Sequence, residues 1–143
     1  AIEIEEGHFT FKITSPYHTK FWRTVKVDAN HTLHDLHNII QEAIQFDNDH
    51  LYSFYLDNKP YSKKGYHSPH AMQSPVATSV CIGDLGFREG QRILYLFDYG
   101  DSWEFTIELV KQESAETSLP QAVLVGSKGE APEQYPGWGE EDY

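Results

Sequence analysis

The chain has 143 residues, 14% of them aromatic, with 22 acidic against 11 basic side chains and a net charge of −11. One domain's length with that much ring surface can build a core, which excludes disorder throughout. The charge makes nucleic acid an unfavoured partner and suits a neutral, cationic or basic one. No apolar run approaches the length needed to cross a membrane and no leader pattern opens the chain, so no membrane partner and a cytoplasmic location are expected. Cys81 is the single cysteine and lies between Val80 and Ile82. An internal disulfide is therefore excluded, and the apolar setting reads as an inert buried thiol.

Ala1 to Gly7 is short, acidic and expected to fray. Phe9, Phe11 and Ile13 alternate with Thr10 and Lys12, a strand ended by Ser15-Pro16. Phe21 to Val27 predicts a second strand, with Phe21, Val25 and Val27 on one face and Trp22 and Lys26 on the other. The link from Ser15 to Lys20 is short enough for an antiparallel hairpin. Thr32 is a good N-cap with Asp35 three residues on, in a capping-box-like place. Leu33, Leu36, Ile40, Ala43 and Ile44 then recur at helical spacing, and the helix is predicted to end near Phe46.

His50 to Leu56 reads as a third strand, so the N-terminal half runs strand, strand, helix, strand, a β-grasp-like element order. Ser62 to Pro75 has no periodicity and reads as a mobile loop. Ile82 to Gly86 suits a short helical turn, and Leu119 to Val125 a last strand. From Gly126 onward Gly, Pro and Glu dominate, an irregular acidic tail that Tyr135 and Trp138 would pin to the domain.

The longest pattern lies between. Ile93 to Phe97 is apolar at every position, as in a strand inside a sheet. Trp103, Phe105, Ile107 and Leu109 alternate with Ser102, Glu104, Thr106 and Glu108, as in a half-buried strand. If Tyr99-Gly100 is a two-residue loop, Asp98 faces Asp101, Leu96 faces Trp103 and Leu94 faces Phe105. Two readings of the carboxylates are open. As turn formers both splay into water; as an acidic corner they need a cation, a base or a shared proton.

Four stretches taken together resemble a known family. They are Trp22-Arg23, Thr32-Leu33-His34-Asp35-Leu36-His37, His50-Leu51-Tyr52-Ser53-Phe54 and, most specific, Asp98-Tyr99-Gly100-Asp101-Ser102-Trp103-Glu104. In this order the chain is similar to the plasmid pRiA4b ORF-3-like family, some of whose members are described as passenger TnpR proteins of insertion elements. The likeness runs from Phe9 to Gly139. It implies a compact α+β fold and a link to mobile elements, and it brings no activity with it. Phe105 stands where the family often has His, and Glu130-Ala131-Pro132-Glu133-Gln134 where it often has Cys-Pro-Pro-Glu-Asp.

His31, His34 and His37 fall three apart around the helix start, which lacks the spacing and glutamate of a zincin and reads as a solvated polar face. His67 and His70 read as loop surface. His50 would approach the hairpin end if the strands neighbour each other, as a structural partner of an aspartate or as a metal ligand. Trp22, Trp103 and Trp138 read as packing anchors, and Arg23 as the cation that neutralises an acidic cluster.

The expectation is a single α+β domain over residues 1–143: a mixed or antiparallel sheet, one main helix and a long central hairpin. The expected role is noncatalytic recognition of a protein or peptide, with Trp22, Arg23, Tyr99, Trp103 and Trp138 as binding candidates and no cofactor. The rival is a metal-binding protein or metal-dependent hydrolase. Its catalytic candidates are Asp98, Asp101, Glu104 and His50, and a divalent metal would sit on His50, Asp98 and Asp101.

Overall fold

The computed structural model describes residues 7–135. Seven strands form one antiparallel sheet: β1 (His8–Thr14), β2 (Trp22–Asp28), β3 (Tyr52–Tyr55), β4 (Gly65–His67), β5 (Arg92–Phe97), β6 (Trp103–Glu113) and β7 (Val123–Lys128). Their order across the sheet is β4-β3-β5-β6-β1-β2-β7. One helix, α1 (Leu33–Ile44), packs on one face, so the chain is an α+β domain. Among the described residues no helix is long and apolar enough to cross a membrane.

The helix begins where its capping chemistry predicts. Thr32 accepts the backbone N–H of Asp35 at 3.1 Å, and the Asp35 carboxylate accepts the N–H of Thr32 at 2.8 Å. This reciprocal cap satisfies two donors that a helix start leaves unpaired, worth about 1 kcal/mol. The chain leaves α1 through Gln45 in the left-handed region, at φ 61°. Leu33, Leu36, Ile40 and Ile44 are fully buried against Phe9, Phe11, Val25, Phe54, Tyr95 and Phe105 from the sheet. The buried face of β2 also carries Arg23, whose guanidinium donates to the carbonyls of Ala43, Trp22, Lys128 and Gly129. Arg23 thus ties the C-terminal turn of α1 to the end of β7. It serves four carbonyls where the sequence suggested an acidic cluster.

β5 is buried on both faces, from Ile93 to Phe97, as its unbroken apolar run predicts. Ile93, Tyr95 and Phe97 join the core under α1, while Leu94 and Leu96 join Tyr55 and Tyr99 in a small cluster on the opposite face.

Three boundaries and one register differ from expectation. β3 is shorter than His50 to Leu56, running Tyr52–Tyr55 with the Leu51 carbonyl accepting the Asp98 N–H just before it. The stretch from Ser62 to Pro75 holds edge strand β4, which pairs with β3 and also receives Val76 beside His67. The last strand begins at Val123 and runs through Gly126 to Lys128, so the irregular tail starts later than the composition suggests. In the sheet, β5 and β6 separate β3 from the β1–β2 hairpin.

The fourth difference is the register of the β5–β6 hairpin. Phe97 pairs with Trp103, Tyr95 with Phe105 and Leu96 with Glu104, one residue away from the pairing a Tyr99-Gly100 loop would impose. The connection spans five residues, and its left-handed positions are Asp98 (φ 68°) and Ser102 (φ 54°). A two-residue turn of the kind favoured in hairpins would put Tyr99 at positive φ, a costly place for an aromatic residue. The observed register also sets Tyr95, Phe97, Trp103 and Phe105 together on the face that α1 covers.

Candidate histidine–tyrosine cleft beside the hairpin end

Two polar residues of α1 point at the sheet rather than at solvent. His37 and Gln41 stand four and eight residues after Leu33, inside the apolar stripe, and both are buried. The Tyr95 hydroxyl, in the middle of the core, receives Gln41 Nε2 at 2.9 Å and lies 2.6 Å from His37 Nδ1. His37 Nε2 lies 2.8 Å from Asn48 Oδ1, and Asn48 Nδ2 donates to Asn38 Oδ1 at 3.1 Å. An amide carbonyl can only accept, so the His37 proton sits on Nε2 and Nδ1 accepts from Tyr95. One directed chain results: Gln41 to Tyr95 to His37 to Asn48 to Asn38. Burial pushes the His37 pKa down to about 3, although the Asn48 hydrogen bond raises it.

A parallel pair lies alongside. The His37 ring stacks on Tyr52 with centroids 3.8 Å apart and planes 9° from parallel. The Tyr52 hydroxyl is 2.7 Å from His34 Nδ1. Burial lowers the His34 pKa, a nearby Asp35 carboxylate raises it, and His70 lowers it again. Burial also raises the Tyr52 and Tyr95 hydroxyls, so both are neutral donors. The expected solvated face is thus corrected: His37 is a core residue and His34 is its half-buried neighbour. His67 is corrected as well, since it is buried and sits 2.7 Å from Ser53 Oγ.

Above this network opens a cleft of about 570 Å³, within the range of small-ligand and side-chain pockets. Its inner wall is His34, His37 and Tyr52; its sides are Asn38 and Asn48, then Asp49, His50 and Leu51, with Ser68 and His70 opposite. A smaller hollow of about 380 Å³ between α1 and residues 120–122 is lined by Asp35 and Glu42.

The motif-derived residues meet this cleft at one lip. Asp98 is buried, and its Oδ1 accepts the N–H groups of Gly100 at 3.1 Å and Asp101 at 3.2 Å. Its Oδ2 lies 3.4 Å from His50 Nε2, which is also 3.5 Å from Asp49 Oδ1 and 2.8 Å from the Tyr135 hydroxyl. Asp98 is therefore the cap of its own turn as well as the partner of His50. Asp101 is exposed, and Glu104 sits on the sheet face opposite Trp103. Among the described residues no three His, Cys, Asp or Glu side chains are placed to share a metal ion.

The binding candidates scatter. Tyr99 reaches back over the sheet, donating to the Tyr52 carbonyl at 3.0 Å with Ser53 Oγ at 2.7 Å. Trp103 packs edge-on against Phe46 at 4.9 Å. Trp22 lies on the outer face with the Lys12 ammonium 5.3 Å from its ring, and Trp138 lies outside the described residues. Residues 131–135 cross the loop before β3, where Gln134 both accepts the N–H of Asp47 and donates to its carbonyl.

Sequence reasoning passed over Tyr52, Asn48, Ser68 and the joint role of the helix histidines. The available signal was positional: a histidine and a glutamine in a helix stripe that should be apolar.

The comparisons fit this architecture. The family model for the plasmid pRiA4b ORF-3-like protein matches residues 9–140. The chain belongs to this family. A similar solved structure is the crystal structure of MM3350, a protein of unknown function from Methanosarcina mazei Go1. It is 26% identical with a TM-score of 0.74, over 96% of this chain and 79% of that one. Among curated proteins none matches.

Proposed function

We propose that this pRiA4b ORF-3-like chain is a noncatalytic recognition domain that holds a peptide segment of a partner protein in the histidine–tyrosine cleft. The observation that carries the reading is the pairing of both helix histidines with tyrosine hydroxyls, at 2.7 Å for His34 and 2.6 Å for His37. A general base needs its lone pair free to take a substrate proton. Here the Nδ1 lone pairs of His34 and His37 accept from Tyr52 and Tyr95, so these two rings offer fixed donors and ring faces rather than a base. The net charge of −11 favours a basic segment and disfavours a phosphate backbone. Edge strand β7, with Leu124 and Val125 half-exposed, supports a second contact with an extended chain. A link to mobile elements rests on the family's name, which refers to a plasmid.

Selection of peptides displayed on phage tests the reading. Enriched sequences should lose at least about tenfold in affinity, about 1.4 kcal/mol, on His34→Ala or His70→Ala and nothing on Lys63→Ala. Binding that ignores both cleft variants would overturn it.

The 3.4 Å contact of His50 with Asp98 favours a second reading, a divalent metal held at that lip. Thermal unfolding with EDTA and then with added Mn²⁺ or Zn²⁺ separates the two. A specific site raises Tm by mass action, and a curve indifferent to both removes this reading.

A further inference from the structure

The Tyr52 hydroxyl has one hydrogen-bond partner among the described residues, His34 Nδ1, and the tyrosine is 1% exposed. A hydroxyl carries one proton. Unless that proton lies in the bond to Nδ1, a buried O–H is left unpaired where water cannot replace the partner. Tyr52 therefore donates, His34 Nδ1 accepts, and the single ring proton of neutral His34 is placed on Nε2. Among the described residues Nε2 has no hydrogen-bond partner, and the half-buried ring forms part of the cleft wall.

Three further side chains of the wall have the same polarity. Asn48 has given its carbonyl to His37 and Asn38 has given its own to Asn48, so both amides turn N–H groups outward. Ser68 Oγ accepts the N–H of His70 at 3.2 Å, which leaves its O–H to donate. A wall of N–H and O–H donors recognises acceptors. Of the acceptors available, anions meet the Asp49 carboxylate on the rim and the charge of −11. A neutral carbonyl meets neither obstacle, and a cation next to it gains from both.

We infer that the cleft recognises a backbone carbonyl of an extended basic peptide, accepted from His34 Nε2–H, with an adjacent Lys or Arg side chain set against Asp49. This rests on the recognition reading above and names its chemistry. Tyr52 is a positioning residue: its hydroxyl donates to His34 and fixes which ring nitrogen of that histidine carries the proton.

The tautomer is measurable without any ligand. In protein carrying ¹⁵N-labelled histidine, His34 should show a protonated Nε2 and a bare Nδ1 at neutral pH, and Tyr52→Phe should mix the two forms. A protonated Nδ1 in the unaltered protein overturns the inference. Titration with acetyl-Gly-Lys-Gly-amide should shift the His34 Nε2 resonance, with acetyl-Gly-Glu-Gly-amide at least about tenfold weaker. Asp49→Asn should narrow that ratio at least about threefold while leaving the His34 tautomer unchanged. Equal or tighter binding of the glutamate peptide or of inorganic phosphate overturns the inference, as does a titration in which cleft resonances move and His34 Nε2 does not. The phage selection does not depend on this tautomer. Selected peptides that bind at the cleft without these signatures would sink the carbonyl assignment alone, and a selection that maps elsewhere would sink the recognition reading with it.

Discussion

The cleft wall and the hairpin lip are neighbours built on opposite principles. At the wall, His37, Gln41 and Tyr95 are buried polar groups whose hydrogen bonds all run to one another and on to Asn48. At the lip, Asp98 is buried but half of its bonding is local, to the amides of its own turn, while His50, Asp49 and Asp101 face water. Desolvation makes each group at the wall depend on its partner, because a missing bond there cannot be replaced by solvent. At the lip, water can substitute. Two histidines in the same cleft thus differ in kind: His37 is part of the core, whereas His50 is a surface group held by carboxylates.

Unfolding measurements on variants of both regions break or sharpen that contrast. The largest effect should come from His37→Ala, which empties a packed site and leaves the Tyr95 hydroxyl without its acceptor. Urea unfolding at pH 7 should report a loss of about 3–5 kcal/mol. A smaller loss than for any substitution at the lip would reverse the ranking.

Acid should find the same residue. A histidine whose folded pKa lies below its unfolded value stabilises the fold above the unfolded value. That contribution disappears as pH falls toward the folded pKa. For His37 the window runs from about 6.5 down to about 3. The unaltered protein should therefore lose about 3 kcal/mol more than His37→Phe between pH 7 and pH 4. Parallel curves for the two proteins would show that His37 is not held neutral by burial.

Tyr95→Phe keeps the ring and removes the oxygen that Gln41 and His37 share. It should cost about 2 kcal/mol with no pH dependence above 7. At the lip, Asp98→Ala removes the oxygen that accepts two turn N–H groups and leaves alanine at a positive φ, for about 1–2 kcal/mol. Asp98→Asn retains an acceptor and tolerates that backbone, so it should cost less than about 1 kcal/mol. Asp101→Asn should stay within about 0.5 kcal/mol by the same unfolding assay. An Asp101 effect as large as that of Asp98 would restore the paired-carboxylate corner as a site.

Much of the local architecture could be read from residue order. The capping box at Thr32 and Asp35, the double-sided burial of β5 and the alternation of β6 follow from neighbours a few residues apart. The hairpin register did not. It turned on the backbone cost of Tyr99 against the side-chain capping of Asp98, and on the shared face for four aromatic rings. His34 and His37 looked like a polar helix face because nothing in their immediate sequence names Tyr52 or Tyr95, which lie 18 and 58 residues further on.

By itself the amino-acid order determined an acidic α+β domain, the helix and its start, a two-faced central strand and the family to which the chain belongs. Those features are set by periodicity, by capping and by bonds between close neighbours. Only the tertiary structure decided that two helix histidines are neutral and that the Asp98 to Asp101 motif is first a turn. It also decided that a cleft opens between the helix and the β3 and β4 segments. A proton's position and a pocket's wall are properties of groups brought together from distant parts of the chain, in surroundings from which water has been removed.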